Sequence, residues 1–316
     1  MINSIVITGA SGFIGTNISS SFKKRDSYYL IGLDQFIPQQ HDYQEYYTWG
    51  NLHLVNSKNI NTIIHLAGKA HDTSNGSDMQ SYFDINLGLT KLIFDYYIKS
   101  NAEKFIFFSS VKAAADTVKG EYLIEEIIPE PLTPYGKSKL AAEEYILSKS
   151  VAANKKVYIL RPCMIHGEGN KGNLILLYNF VKKGLQYPLG KFENLRSFTS
   201  IDNLLYILEN LIDRENITSG IYNIADDDTI SSNNLIKLIA RSMGKKEKIL
   251  YINKSLVKLA ALFSNKLNLS FNSETLKKLT DSYVVSNKKI KDAIGVNMLP
   301  VNAEVGMMKT LRSFNP

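Results

Sequence analysis

The segment that most restricts how this chain can fold lies at its amino terminus. In Ile5-Val-Ile-Thr-Gly-Ala-Ser-Gly-Phe-Ile-Gly15 a β-branched run gives way to glycines at positions 9, 12 and 15. A short uncharged run of this kind reads as a strand buried on both faces. Gly9 supplies a tight turn, Gly12 lets an anion approach the backbone, and Gly15 lets the following helix pack closely. That helix offers unpaired N–H groups and the positive end of its dipole to the anion. With Ser11, Phe13 and Ile14 completing the turn, the segment reads as a cradle for a pyrophosphate.

The next apolar run, Tyr28-Tyr-Leu-Ile-Gly-Leu-Asp34, ends in an acid 25 positions after Gly9. That is close to the spacing of about 20 residues at which a carboxylate meets the ribose of a bound dinucleotide. Such a carboxylate accepts hydrogen bonds from both ribose hydroxyls and repels a 2′-phosphate. Gln35 and Phe36 offer that phosphate no cation, so NAD is expected over NADP.

Further along, an irregular aromatic stretch, Asp42–Trp49, precedes a buried strand over Thr62–Ala67. A helix is predicted over Tyr82–Ser100, a strand over Lys104–Ser110, a helix over Tyr135–Ser150 and a strand over Lys156–Leu160. Alternation of this kind argues for a parallel sheet wrapped by helices on both faces, with the ligand crevice at the strands' carboxyl ends. From Gly167 the pattern changes to glycine-rich connections among helices, and Gly220–Ala225 reads as a strand returning to the sheet.

The net charge of +7 raises the question of nucleic acid. Residues 1–160 carry 15 Lys and Arg against 16 Asp and Glu, whereas residues 161–316 carry 22 against 14. The excess is made of short lysine pairs without interleaved stacking aromatics, which reads as solvated helix faces and argues against nucleic acid. There is no 18-residue apolar run and no export signal, so a cytoplasmic chain without stable membrane insertion is expected. Cys163 is the single cysteine and reads as a packing residue, and no Cys/His set has metal-ligand spacing. His65 and His71 read as structural.

Tyr135 and Lys139 lie four apart at the start of a predicted helix, directly after Pro134, and share one face. A phenol with a pKa of about 10 is a poor base at neutral pH, but a nearby ammonium favours the phenolate. With Ser110 bonded to the same substrate oxygen, this trio can take a proton from a sugar hydroxyl while hydride leaves the adjacent carbon.

Thr8-Gly-Ala-Ser-Gly-Phe-Ile-Gly15, Asp34, His65-Leu-Ala-Gly68, Ser109-Ser110, Tyr135-Gly-Lys-Ser-Lys139 and Arg161-Pro162 together resemble the extended short-chain dehydrogenase/reductase family, the NAD-dependent epimerase/dehydratases of nucleotide sugars. The resemblance spans essentially the whole chain. It implies an α/β Rossmann fold, a doubly wound parallel sheet with a smaller, discontinuous carboxy-terminal substrate lobe. The expected division is residues 1–166 and 198–226 for the NAD-binding domain and 167–197 and 227–316 for the lobe. The resemblance makes Tyr135 the acid/base and gives Lys139 a second role on the nicotinamide ribose. It adds Leu66, Ala67, Gly68, Asn86 and Pro162 to the cofactor site, with Asn86 bracing the active-site strand. Asn51 stands where relatives often carry an aspartate near adenine, and its amide can still pair there. In the lobe, Asn173 and Arg196 match residues that hold the nucleotide diphosphate, and Lys278 is the nearest match to a second phosphate-binding cation. Homodimers are common among such proteins.

The 4,6-dehydratases carry Thr-Asp-Glu where this chain has Ser110-Val111-Lys112, so dehydration lacks its acids here. Ser-Ser-Val-Lys resembles the branch containing 4-epimerases and the 4-ketoreductases that make UDP-N-acetylquinovosamine. The expected activity is hydride transfer at C4 of a UDP-linked hexose or N-acetylhexosamine, by either route. A lipid diphosphate-linked sugar at a membrane is a further option that the basic second half would suit. A non-catalytic NAD sensor is the alternative from another class, and it would have no need of Ser110, Tyr135 and Lys139. No role follows from sequence for Lys112.

Overall fold

The computed structural model describes residues 2–55, 59–69, 79–170, 172–266 and 273–314. In chain order the elements are β1 (Asn3–Thr8), α1 (Phe13–Phe22), β2 (Tyr28–Asp34), β3 (Glu45–Thr48), α2 (Leu52–Val55), β4 (Thr62–His65), α3 (Met79–Tyr82), α4 (Gly88–Lys99), β5 (Lys104–Phe108), α5 (Val111–Ala114) and α6 (Pro134–Leu147). Then come β6 (Lys156–Pro162), β7 (Met164–His166), α7 (Asn173–Lys182), β8 (Phe198–Ser200), α8 (Ile201–Asp213), β9 (Gly220–Ile224), α9 (Ser232–Ser242), α10 (Lys254–Lys266), α11 (Ser273–Thr280), α12 (Lys288–Ile294) and α13 (Ala303–Ser313).

Seven strands form one sheet in the order β3-β2-β1-β4-β5-β6-β9, and every neighbouring pair is parallel. Because side chains alternate across a strand, the buried runs feed two cores. Ile5, Ile7, Leu30, Ile64, Ile106, Phe108 and Leu160 face Leu204, Ile207, Leu208 and Leu211 of α8. Val6, Ile31, Ile63, Phe105, Phe107 and Ile159 face Ile93, Phe94 and Tyr97 of α4 and Ala142 and Ile146 of α6. Each such side chain contributes about 1.5–3 kcal/mol on burial. A separate cluster, including Leu174, Tyr178, Leu235, Ile239, Val257 and Met307, forms a further core among α7, α9, α10 and α13, away from the sheet.

The strand order reverses direction between β1 and β4, which puts the ligand crevice of such a sheet at their carboxyl ends. Gly220–Ile224 does return to the sheet, paired with β6. Two features depart from the sequence reading. Glu45–Thr48, inside the stretch taken as irregular, is the edge strand β3, drawn into register by β2. The helix expected over Tyr82–Ser100 is interrupted by a π-helical turn at Phe83–Leu87. Such turns insert a residue into the helical repeat and recur at functional sites.

Candidate active site

The glycine turn has the geometry its spacing implies. Gly9 adopts φ +69°, and a Cβ there would stand 2.8 Å from the Ala67 backbone nitrogen. Only glycine lets β1 and the Leu66–Gly68 segment after β4 converge so closely. Gly12 caps α1 without any side-chain hydrogen bond, leaving the helix's first N–H groups to an outside acceptor. At Gly15 the close approach is to the turn itself, since a Cβ would meet the Ala10 and Gly9 carbonyl oxygens at 2.6 and 2.7 Å. Asp34 closes β2 and folds back over the turn, its Oδ2 accepting from the Ser11 amide at 2.8 Å and the Ser11 hydroxyl at 2.7 Å. A bare helix terminus, a glycine-lined cradle and a carboxylate at the end of the second strand suit a dinucleotide. Asn51 stands exposed in the short turn that follows β3, and Pro162 ends β6.

Replacing the Asp34 carboxylate by an amide tests its assignment to the ribose. Asp34→Asn is expected to weaken NAD binding by about 10- to 100-fold, the worth of a charged hydrogen bond, and to narrow the preference over NADP. Fluorescence titration with both nucleotides measures this, and an unchanged NAD/NADP ratio would count against the assignment.

The catalytic candidates meet where β5 and α6 deliver them. Ser110 follows β5 and caps α5, its hydroxyl accepting from the Lys112 amide at 3.1 Å. α6 is fixed in turn by the Thr133 side chain, which accepts from Gly136 at 3.2 Å, and by Pro134 in the first turn. Asp116 holds the segment before it, accepting from the Leu132 and Thr133 amides at 2.7 and 3.3 Å. Gly136 lets α6 lie directly on α5, because a Cβ there would stand 2.4 Å from the Lys112 carbonyl oxygen. That contact brings Tyr135 to Ser110.

Burial pushes the Tyr135 phenol above its ordinary pKa, while a hydrogen bond with Ser110 works against the rise. Burial also brings Lys139 down to about 8, with Glu143 opposing. The Lys139 ammonium donates to the Phe108 carbonyl at 2.8 Å and sits 5.0 Å from the Phe107 ring centre. Lys139 follows Tyr135 by one turn on the same helix, so its charge lies on the phenol's side of α6.

One support was not legible as a site residue. Glu143, one turn beyond Lys139, is 1 % exposed and binds Arg161 through Nε at 3.0 Å and Nη2 at 2.5 Å. It also accepts from the Ser109 hydroxyl, so one carboxylate ties β6 to the residue before Ser110. Tyr135, Lys139 and Glu143 stand at successive four-residue steps, the one signal that could have found it. Asn86, carried inward by the π turn, is fully buried and is a brace. It accepts from the Lys69 amide at 2.7 Å and donates to the Ser138 hydroxyl at 2.9 Å. Gly68 makes room for it, since a Cβ there would meet Asn86 Oδ1 at 2.7 Å and Lys139 Nζ at 3.2 Å.

His65 is structural. Burial, and next to it the Lys139 charge, lowers its pKa to about 3. The Ala67 amide donates to the Thr8 hydroxyl at 3.2 Å, so that hydroxyl is free to donate to Nδ1 of a neutral ring at 2.7 Å. Nε2 then donates to Thr90 at 3.1 Å. Burial likewise raises the Cys163 thiol, which suits packing. Lys112 is held by the Asp116 carbonyl at 3.0 Å and lies 4.3 Å from the Tyr283 ring centre. His71 lies outside the described residues. Among those described, no group of three or more His, Cys, Asp or Glu could hold a metal, and no helix is long and apolar enough to cross a membrane.

In the lobe, Asn173 is the exposed first residue of α7. Arg196 pairs with Ile230 and Tyr283 through its backbone and donates from Nη2 to the Asp281 carbonyl at 3.4 Å. Burial lowers its pKa. Lys278 falls on α11, and its side chain lies outside the described part.

The fold and the constellation of Ser110, Tyr135 and Lys139 define a nicotinamide-dependent enzyme of the extended short-chain dehydrogenase/reductase class. The chain belongs to the NAD dependent epimerase/dehydratase family, whose model matches residues 5–225. It is 27 % identical over 254 residues to a UDP-glucose 4-epimerase of Vibrio cholerae, covering 78 % of this chain and 77 % of that one. It is 25 % identical over 256 residues to the N-acetyl-alpha-D-glucosaminyl-diphospho-ditrans,octacis-undecaprenol 4-epimerase of Escherichia coli O157:H7, covering 78 % and 74 %. The fold is similar to a UDP-glucuronic acid 4-epimerase from Bacillus cereus in complex with NAD, at 19 % identity and a TM-score of 0.75 over 98 % of both chains. NAD is the cofactor that the family and the cradle share.

Proposed function

We propose that the chain moves hydride at C4 of a UDP-linked hexose or N-acetylhexosamine, acting as a 4-epimerase or a 4-ketoreductase. The observation that carries this reading is the convergence of Ser110 and the half-buried Tyr135, with Lys139 one turn away and packed at Gly68, beside the glycine turn. Tyr135 takes the C4 hydroxyl proton, or returns it to a C4 carbonyl oxygen, while Ser110 orients that oxygen. Bound NAD supplies the hydride acceptor or donor. Lys139 fixes the ribose and keeps a positive charge near the phenol. Asn173 and Arg196 hold the diphosphate, the guanidinium bidentately, and Lys278 adds a cation.

Support comes from relatives whose names specify 4-epimerisation and from the missing dehydratase acids. Val111 is buried, and Lys112 is engaged by Asp116 and Tyr283. A lipid diphosphate-linked sugar is the second reading, favoured by the basic second half of the chain and by the name of the Escherichia coli relative.

Purified protein incubated with UDP-N-acetylglucosamine, UDP-N-acetylgalactosamine and a UDP-4-keto-6-deoxy sugar, with and without NADH or NADPH, tests the proposal. Interconversion without net cofactor use identifies an epimerase. Stoichiometric loss of reduced nicotinamide absorbance with the keto sugar alone identifies a reductase. Turnover of none of the three, and of neither UDP-glucose nor UDP-galactose, sinks the UDP-sugar reading.

A further inference from the structure

The lobe carries a surface that none of this chemistry uses. α10 turns Leu256, Leu259, Leu262 and Phe263 to solvent, each between 51 and 61 % exposed, while Val257 and Ala261 on its other side are 6 and 0 % exposed. At helical spacing the four outward side chains form one stripe about a third of the circumference wide. The segment leading into the helix extends it, with Tyr251 60 % exposed beside Leu250 and Ile252. The same stretch of chain is strongly basic. Residues 245–263 contain five lysines, Lys245, Lys246, Lys248, Lys254 and Lys258, against the single acid Glu247, and all five lysines are exposed.

An ordinary solvated helix face carries no such leucines, and an apolar protein partner has no need of so basic a stretch. An amphipathic helix with a leucine and phenylalanine face, set in a basic stretch of chain, matches an anionic bilayer surface on both counts. The patch also adjoins the site. A cavity of about 370 Å³ between α10 and α11 is lined by Phe192, Lys258, Leu262, Leu276 and Asp281, and the Asp281 carbonyl takes the Arg196 guanidinium.

We propose that α10 and the Leu250–Ile252 segment dock the lobe onto an anionic membrane surface, with Leu256, Leu259 and Phe263 among the acyl chains and the lysines at the headgroups. The inference rests on neither reading of the sugar substrate, and its readout is separate from turnover.

Co-sedimentation of the full chain with vesicles of phosphatidylglycerol or phosphatidylcholine tests it. The protein is expected to pellet with phosphatidylglycerol, to be released by salt, and to bind phosphatidylcholine weakly. Leu256→Ser with Leu259→Ser is expected to lower the partition coefficient by at least about tenfold, with circular dichroism and melting temperature unchanged because both side chains are exposed. Lys254→Ser with Lys258→Ser is expected to lower the preference for phosphatidylglycerol by about tenfold. Wild-type protein that stays in the supernatant overturns the proposal, as does equal binding by the leucine variant. So does vesicle-independent self-association lost in that variant, which would assign the face to a second copy of the chain.

Discussion

Tyr135→Phe is expected to lower kcat by about 10²–10⁴-fold, the usual worth of a positioned acid/base, while leaving the fold and NAD affinity close to those of the wild type. The substitution removes only a hydroxyl from a ring packed at 6.2 Å from Tyr82 in an edge-to-face arrangement. A turnover assay beside an NAD titration separates loss of proton transfer from loss of binding. Retained turnover in the phenylalanine variant would show that another group moves the proton. The pH profile gives a second readout. Lys139, brought down to about 8 by burial, is an ammonium below that pH and neutral above it. Its charge favours the phenolate, so activity is expected to fall as the pH rises through that value.

Glu143→Gln is expected to move this alkaline limb toward lower pH and to reduce kcat. Glu143 opposes the fall in the Lys139 pKa, so without its charge the ammonium is lost earlier as the pH rises. Glu143→Ala is expected to cost about 3–5 kcal/mol of stability, because Arg161 is left as an unpaired buried cation, and urea unfolding measures this. Glu143→Leu with Arg161→Met separates the two effects. Replacing a buried pair by apolar groups is often near neutral in stability, so the double variant should fold and still show the displaced pH limb. An unchanged pH profile in that variant would make Glu143 a structural residue alone.

The parts of the site legible in sequence are those that local chemistry dictates. A positive φ at Gly9, a carboxylate ending β2, and a tyrosine and lysine one helical turn apart can each be read from neighbouring residues. The parts that escaped depend on distant partners. A glutamate on a helix usually faces water, and Glu143 is buried only because Arg161, 18 residues on, arrives from β6. The π turn breaks the 3.6-residue repeat on which the helix prediction rests, so the inward turn of Asn86 left no periodic trace. β3 is four residues long and owes its extended form to the register of β2. Lys112, with no role from sequence, is accounted for by Asp116 and by Tyr283, which lies 171 positions later.

Tyr283 belongs to the strand-like segment that pairs with Arg196, yet its hydroxyl donates to the Ala115 carbonyl at 2.7 Å, at the far end of the short helix that Ser110 begins. The segment beside Arg196 and the helix that Ser110 caps are thereby tied to each other. An engineer grafting a relative's lobe to alter sugar preference would cut this tie at its midpoint. A working hybrid has to exchange residues 110–116 together with Tyr283, which makes that pairing, and not the lobe boundary, the natural seam for recombination.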